Sequence, residues 1–127
     1  MKEWVAIAKA LSDPTRLRVL FALRTGELCV CELCDVLGVT QSTLSTHLQV
    51  IRQAGLVSSR REGKWSYYQI RPHASLLLRR LGEAVPTGES DKILRRDAGQ
   101  LQQRLALRDN GSCCVGFKSG QTTGDRE

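Results

Sequence analysis

No stretch of the chain approaches the roughly 18 consecutive apolar residues of a membrane-spanning helix. Its start, Met1-Lys2-Glu3-Trp4, runs into alternating polar and apolar residues without the apolar core of an export signal. The expectation is a cytoplasmic protein with no membrane partner. Histidine is scarce, with only His47 and His73 present, which argues against metal sites that lean on imidazole. No internal repeat is visible. None of the five cysteines has an arginine six positions on; Asp35, Leu37, Thr40, Ser119 and Gly120 stand there instead. That excludes the oxyanion cradle of phosphatase-like thiol enzymes. Cys31-Glu32-Leu33-Cys34 has dithiol spacing but not the strand-then-helix setting of redox motifs. Neither an enzyme nor a catalytic cofactor is expected.

What is present fits one compact domain with appendages. The chain has 127 residues, of which 41% are apolar and 25% charged; such proportions build a soluble core, though a thin one that a second copy would enlarge. Nineteen lysines and arginines against thirteen acids give a net charge of +6 and a pI near 9.4. A basic balance favours an anionic partner such as nucleic acid.

Trp4, Ile7, Ala8 and Leu11 form the stripe of a short amphipathic helix. Asp13-Pro14 caps and starts a second helix, which carries Leu17, Leu20 and Phe21 and ends near Thr25-Gly26. Val30, Leu33, Val36 and Leu37 mark a third, closed by Gly38. Thr40 caps a fourth, with Leu44, Leu48 and Ile51 inward and Gly55 at its end. The third and fourth helices read as a helix-turn-helix. Residues 56–61 and 64–70 are strand-like around a Glu62-Gly63 turn, forming a hairpin wing. Helical spacing returns from His73 to Val85. After a break at 86–90, Leu94, Ala98, Leu101 and Leu105 make a narrow seam suited to a partner helix. The fold class is mainly α with a small β-hairpin, a homodimeric winged helix-turn-helix. Residues 1–85 are the DNA-binding and sensing domain, 86–109 a dimerisation helix, and 110–127 a flexible tail.

A helix entering the major groove needs polar side chains facing outward, because base edges are read by hydrogen bonds. The fourth helix offers Gln41, Ser42, Thr43, Ser45, Thr46 and His47. The wing adds Arg60, Arg61 and Lys64 for phosphates. Each signal alone is weak; a helix-turn-helix followed at once by a basic hairpin is specific. His47 by itself is more often a structural hydrogen-bonder or a phosphate contact than a base reader.

Four motifs in order carry a resemblance: Leu11-Ser12-Asp13-Pro14-Thr15-Arg16-Leu17, Glu27-Leu28-Cys29-Val30-Cys31-Glu32-Leu33-Cys34, Ser45-Thr46-His47-Leu48 and Gly63-Lys64-Trp65-Ser66-Tyr67-Tyr68. Together they resemble the ArsR/SmtB family of metal-sensing repressors, over roughly residues 4 to 73. Glu27 to Cys34 is similar to the signature of the arsenite- and antimonite-responsive branch. The resemblance implies a homodimer that holds double-stranded operator DNA and leaves it when As(III) or Sb(III) binds. Two features depart from the pattern: Thr43 and Thr46 stand where recognition helices of this branch often carry basic residues, and the chain after Val85 matches poorly.

Cysteines cluster as Cys29, Cys31 and Cys34, then Cys113 and Cys114. Soft trivalent ions prefer thiolates, which makes the first three the expected metalloid ligands and the last two a candidate second site. Cys31 and Cys34 share a helical face, whereas Cys29 lies about 200° round from Cys31 on an ideal helix. Either Cys29 precedes the helix or ligand binding unwinds its first turn. A distortion there would tilt the recognition helix packed beside it. Zinc would want four ligands, and the carboxylate and histidine pairs of the resembling zinc sensors are absent; no cysteine precedes Cys29, as cadmium or lead sensors of the family would have. The alternatives are a repressor switched by a Cys31–Cys34 disulfide, a thiol enzyme, or a metalloid-sequestering protein, which would not need a wing.

Overall fold

The computed structural model describes residues 1–85 and 88–108. Its elements run α1 (Lys2–Ala10), α2 (Pro14–Leu23), β1 (Leu28–Cys29), α3 (Val30–Leu37), α4 (Gln41–Gln53), β2 (Val57–Glu62), β3 (Trp65–Ile70), α5 (Pro72–Ala84) and α6 (Glu89–Leu105). Among the described residues no helix is long and apolar enough to cross a membrane.

Local chemistry sets most boundaries. The Asp13 carboxylate accepts from the amides of Thr15 and Arg16 at 2.9 and 3.1 Å, satisfying two of the donors a helix start leaves open, and Pro14 follows at the first helical position. Thr40 Oγ1 accepts from the Thr43 amide at 3.3 Å, starting α4. Gly38, at φ +69°, reverses the chain after α3, a conformation that a side chain would strain. Leu20, Leu23, Leu33, Leu44, Leu48, Ile51 and Leu56 then bury together. Helix α3, buried on nearly every side, and the inward stripe of α4 supply this core, and the helix-turn-helix is held by it.

The wing departs from the sequence reading by one residue. Glu62 pairs with Trp65, so the turn is Gly63-Lys64 and not Glu62-Gly63; the residue with positive φ, Gly63 at +62°, is the first inside it. The sheet also has a third strand. β1 adds to β3 on the side away from β2, all antiparallel, with Leu28 opposite Tyr68 and Cys29 opposite Tyr67.

Two apolar stripes also behave differently from their spacing. On α1, Ala10 is buried and Ile7 and Leu11 are half-buried, but Trp4 is 77% exposed and Val5 58%. On α6, the seam meets α2 and α3 of its own chain: Leu101 is buried, Leu94 and Leu105 are half-buried, and Ala98 is exposed. The sharpest α6 contacts are polar. Arg18 of α2 grips Asp97 through two bonds of 2.8 and 2.9 Å and also donates to the Leu37 carbonyl at 3.2 Å.

Candidate nucleic-acid interface and thiol site

The outer face of α4 is polar because its apolar residues are inside. Leu44, Leu48 and Ile51 are buried, Ser42, Thr43, Ser45 and Thr46 are exposed, and Gln41 is half-buried. His47 is different. Arg16 Nη1 lies 3.1 Å from His47 Nδ1; a guanidinium only donates, so Nδ1 accepts. His47 Nε2 lies 3.8 Å from the Asp13 carboxylate, while Arg16 also donates to the Ala10 and Lys9 carbonyls at 3.0 and 2.8 Å. His47 therefore pins α4 to the α1–α2 turn, the structural role among those open to it. A groove of about 770 Å³ separates α4 from the wing, with Gln41, Ser45, Gln49, Arg52, Arg61 and Tyr68 in its walls. Gln49 and Arg52 were not among the expected contacts, although their spacing from Ser45, four and seven residues, puts them on the same face.

The three basic wing residues divide. Lys64 lies over the Trp65 ring at 5.0 Å, and Arg61 reaches Ser66 Oγ at 3.5 Å; both are exposed. Arg60 turns inward. It donates to both oxygens of Glu27 at 2.7 and 2.8 Å and to Glu62 at 2.8 Å, and its guanidinium carbon sits 4.7 Å from the Tyr67 ring centroid. The bonds to Glu27 and then Glu62 hold it more firmly protonated than usual.

Cys29 precedes α3 as its extended N-cap residue, the first of the two arrangements the spacing left open. Its Sγ meets Cys31 Sγ at 2.8 Å. These two sulfurs form a small cluster with Tyr67, against which Trp65 packs, whereas Cys34 belongs to the main apolar core. All three cysteines are buried and reduced. Among the described residues, no group of three or more His, Cys, Asp or Glu side chains is arranged to hold a metal ion. Cys113 and Cys114 lie outside the described residues.

Four charged residues that the sequence reading passed over enclose the thiol pair. Glu32, fully buried, accepts from the Cys29 amide at 2.9 Å and from Arg108 through two bonds of 2.6 Å. Arg108 also donates to the Glu27 carbonyl at 2.8 Å. Its bonds to Glu32 outweigh the opposing effect of burial, so its guanidinium is held above its ordinary pKa. Arg104, itself buried, donates to Asp35 at 2.8 Å and to Cys31 Sγ at 3.7 Å. The Glu32 signal was available: it stands three residues after Cys29, the spacing of a capping box, but with cysteine in place of serine. The two arginines lie about 70 residues away in sequence and gave no local sign.

A helix-turn-helix with a hydroxyl- and amide-bearing second helix, followed by a basic β-hairpin, defines a winged-helix DNA-binding protein. Residues 13–59 match the family described as bacterial regulatory protein, arsR family. The arsenical resistance operon repressor of Escherichia coli is 36% identical over 90 residues, 70% of this chain and 77% of that protein. An arsenic resistance transcriptional regulator of Pseudomonas putida is 46% identical over 67 residues, 52% of each chain. A structure from Mycobacterium bovis described as a homodimeric winged helix-turn-helix DNA-binding domain superposes with a TM-score of 0.63 at 31% identity, over 65% of this chain and 78% of that one. The chain belongs to the arsR family, whose members are transcriptional regulators and not enzymes.

Proposed function

We propose that this protein is a homodimeric repressor that binds operator DNA and releases it when trivalent arsenic or antimony is captured by Cys29 and Cys31. The observation that carries this reading is the 2.8 Å approach of two reduced thiols at the start of the helix preceding the DNA-reading helix. Soft ions are held by thiolates, and Arg104 beside Cys31 Sγ supplies a positive charge that favours a thiolate there. Cys34 is the third ligand if the first turn of α3 opens; Cys113 and Cys114 are the candidates for a second site. The names of the two arsenic-resistance relatives support the ligand class, and the exposed apolar face of α1 together with the homodimeric relative supports pairing of two copies. Gln41, Ser42, Thr43, Ser45 and Thr46 read bases, while Arg61 and Lys64 hold phosphates.

The closeness of Cys29 and Cys31 also favours a second reading, in which an oxidant removes two electrons and two protons and joins them as a disulfide. Titration of the protein–operator complex with arsenite, antimonite, zinc and cadmium under reductant separates the two. Release by arsenite or antimonite at concentrations where zinc has no effect supports the metalloid reading. Release only by a metal-free oxidant, reversed by reductant, replaces it with the redox one.

A further inference from the structure

One register row crosses all three strands of the sheet: Cys29 is opposite Tyr67, and Tyr67 is opposite Arg60. Residues directly opposite on neighbouring strands carry their side chains on one face, so a thiol, a buried phenol ring and a wing cation stand side by side. The contacts agree. Tyr67 packs with Cys29 and Cys31, and the Arg60 guanidinium lies over its ring at 4.7 Å. The same guanidinium returns to Glu27, two residues before Cys29, through bonds of 2.7 and 2.8 Å. Glu27 is fixed in turn by Arg108, which holds its carbonyl at 2.8 Å. Cys29, Tyr67, Arg60 and Glu27 thus form a closed circuit joining the thiol pair to the wing.

We infer that Arg60 is a positioning residue that carries the state of the thiol pair to the wing, and not a phosphate contact. The inference rests on the reading of Cys29 and Cys31 as the sensor. An ion held by both sulfurs replaces their direct 2.8 Å contact with two bonds to the ion and so displaces them. The Cys29 amide is held by Glu32 and its strand by β3, and Tyr67 is only 2% exposed. Buried between the thiols and the wing, Tyr67 passes the displacement to the guanidinium that lies over its ring. Tyr67 moves against Arg60, and the wing shifts relative to α4, changing the groove that the DNA must fit.

The test uses the full chain, a fluorescent operator, and Arg60→Gln, Glu27→Gln, their double variant and Lys64→Gln. Operator affinity is read at several salt concentrations with and without arsenite, and bound arsenite is counted separately by its thiolate absorbance. Coupling between two sites is typically 5- to 150-fold. Arg60→Gln and Glu27→Gln are expected to bind arsenite at the wild-type ratio and keep the wild-type salt slope. Each loses at least 5-fold of the arsenite-induced drop in operator affinity, a typical coupling, and the double variant loses no more than either alone. Lys64→Gln lowers the salt slope by about 0.9 and keeps the response. A fall of about 0.9 in the slope of Arg60→Gln, with Glu27→Gln responding normally, makes Arg60 a phosphate contact and overturns the inference. Loss of arsenite binding in both variants overturns it too, because the row then only builds the site. Should Arg60→Gln unfold, Arg60→Lys keeps the charge without the two-pronged fork and is expected to show the same loss of response. If the wild type binds arsenite without releasing operator, the sensor reading itself fails, visible before any variant is compared.

Discussion

Asp13 serves two helices at once, capping α2 and facing His47 of α4. Burial alone would push its carboxyl up; the Arg16 and Thr15 amides and the Arg16 charge, with His47 facing it, outweigh that and leave its pKa below the ordinary value. A carboxyl depressed in the folded state contributes stability that is complete above its unfolded pKa, about 3.9. That contribution is lost as pH falls through the lower folded value. Asp13→Ala should cost about 1 kcal/mol at pH 7, and the gap from wild type should narrow as the pH drops below about 4. Urea unfolding at neutral and acid pH measures both; an unchanged gap at acid pH would show that the charge is not what the cap uses. The cap was legible in Ser12-Asp13-Pro14, as was Gly38. The pairing of thiols was only half legible. Helical spacing joins Cys31 to Cys34, but Cys29 is extended backbone, where angles per residue no longer apply, and it is Cys29 that meets Cys31. Cys29→Ser should therefore impair metalloid release as severely as Cys31→Ser.

Among the elements, α3 and α4 were readable because their apolar residues recur with the helical period and their caps are chemically explicit. β1 was not: two residues carry no period, and the strand exists because β3 has a second edge to pair. α6 was readable as a helix but not in its partner, since Leu94, Ala98, Leu101 and Leu105 say nothing about Asp97, Arg104 and Arg108 on the flanks of the seam. Those flanks hold the thiol helix. Removing Arg108 leaves the fully buried Glu32 carboxylate without its guanidinium partner, a change that typically destabilises by about 3–5 kcal/mol. Arg108→Ala is expected to lower the urea midpoint accordingly, while Arg80→Ala, which breaks the exposed Arg80–Glu83 pair, shifts it by less than about 1 kcal/mol. Equal effects would mean that α6 is not anchored through Glu32. On α4 and the wing the expected effects differ in kind. Changes at Gln41, Ser42 or Thr43 alter which operator is preferred, whereas Arg61→Gln lowers affinity for all DNA and reduces the salt slope by about 0.9.

At the scale of the whole molecule, the net charge of +6 favours an anionic partner, and in the proposed function the α4–wing groove receives the DNA. Trp4 and Val5 leave apolar surface on α1 uncovered. Two copies joined through that surface would present two recognition helices to a two-fold operator. Trp4→Asp is expected to give monomers in sedimentation at micromolar concentration and weaker operator binding; a wild-type monomer that still occupies a full operator would contradict the dimer. Release is a switch between bound and free populations, and moving it from nearly complete occupancy to nearly none requires about 5.5 kcal/mol of differential affinity. Whether the thiol pair supplies it is decided by operator anisotropy during arsenite titration under reductant, for wild type, Cys29→Ser, Cys31→Ser and the Cys113→Ser/Cys114→Ser double variant. The expected result is normal operator binding throughout. Arsenite should release the wild type and the double variant, the latter at most with reduced sensitivity, and should release neither Cys29→Ser nor Cys31→Ser. Undiminished release from Cys29→Ser and Cys31→Ser, with loss of release in the double variant, would move the sensor away from α3 and contradict the account.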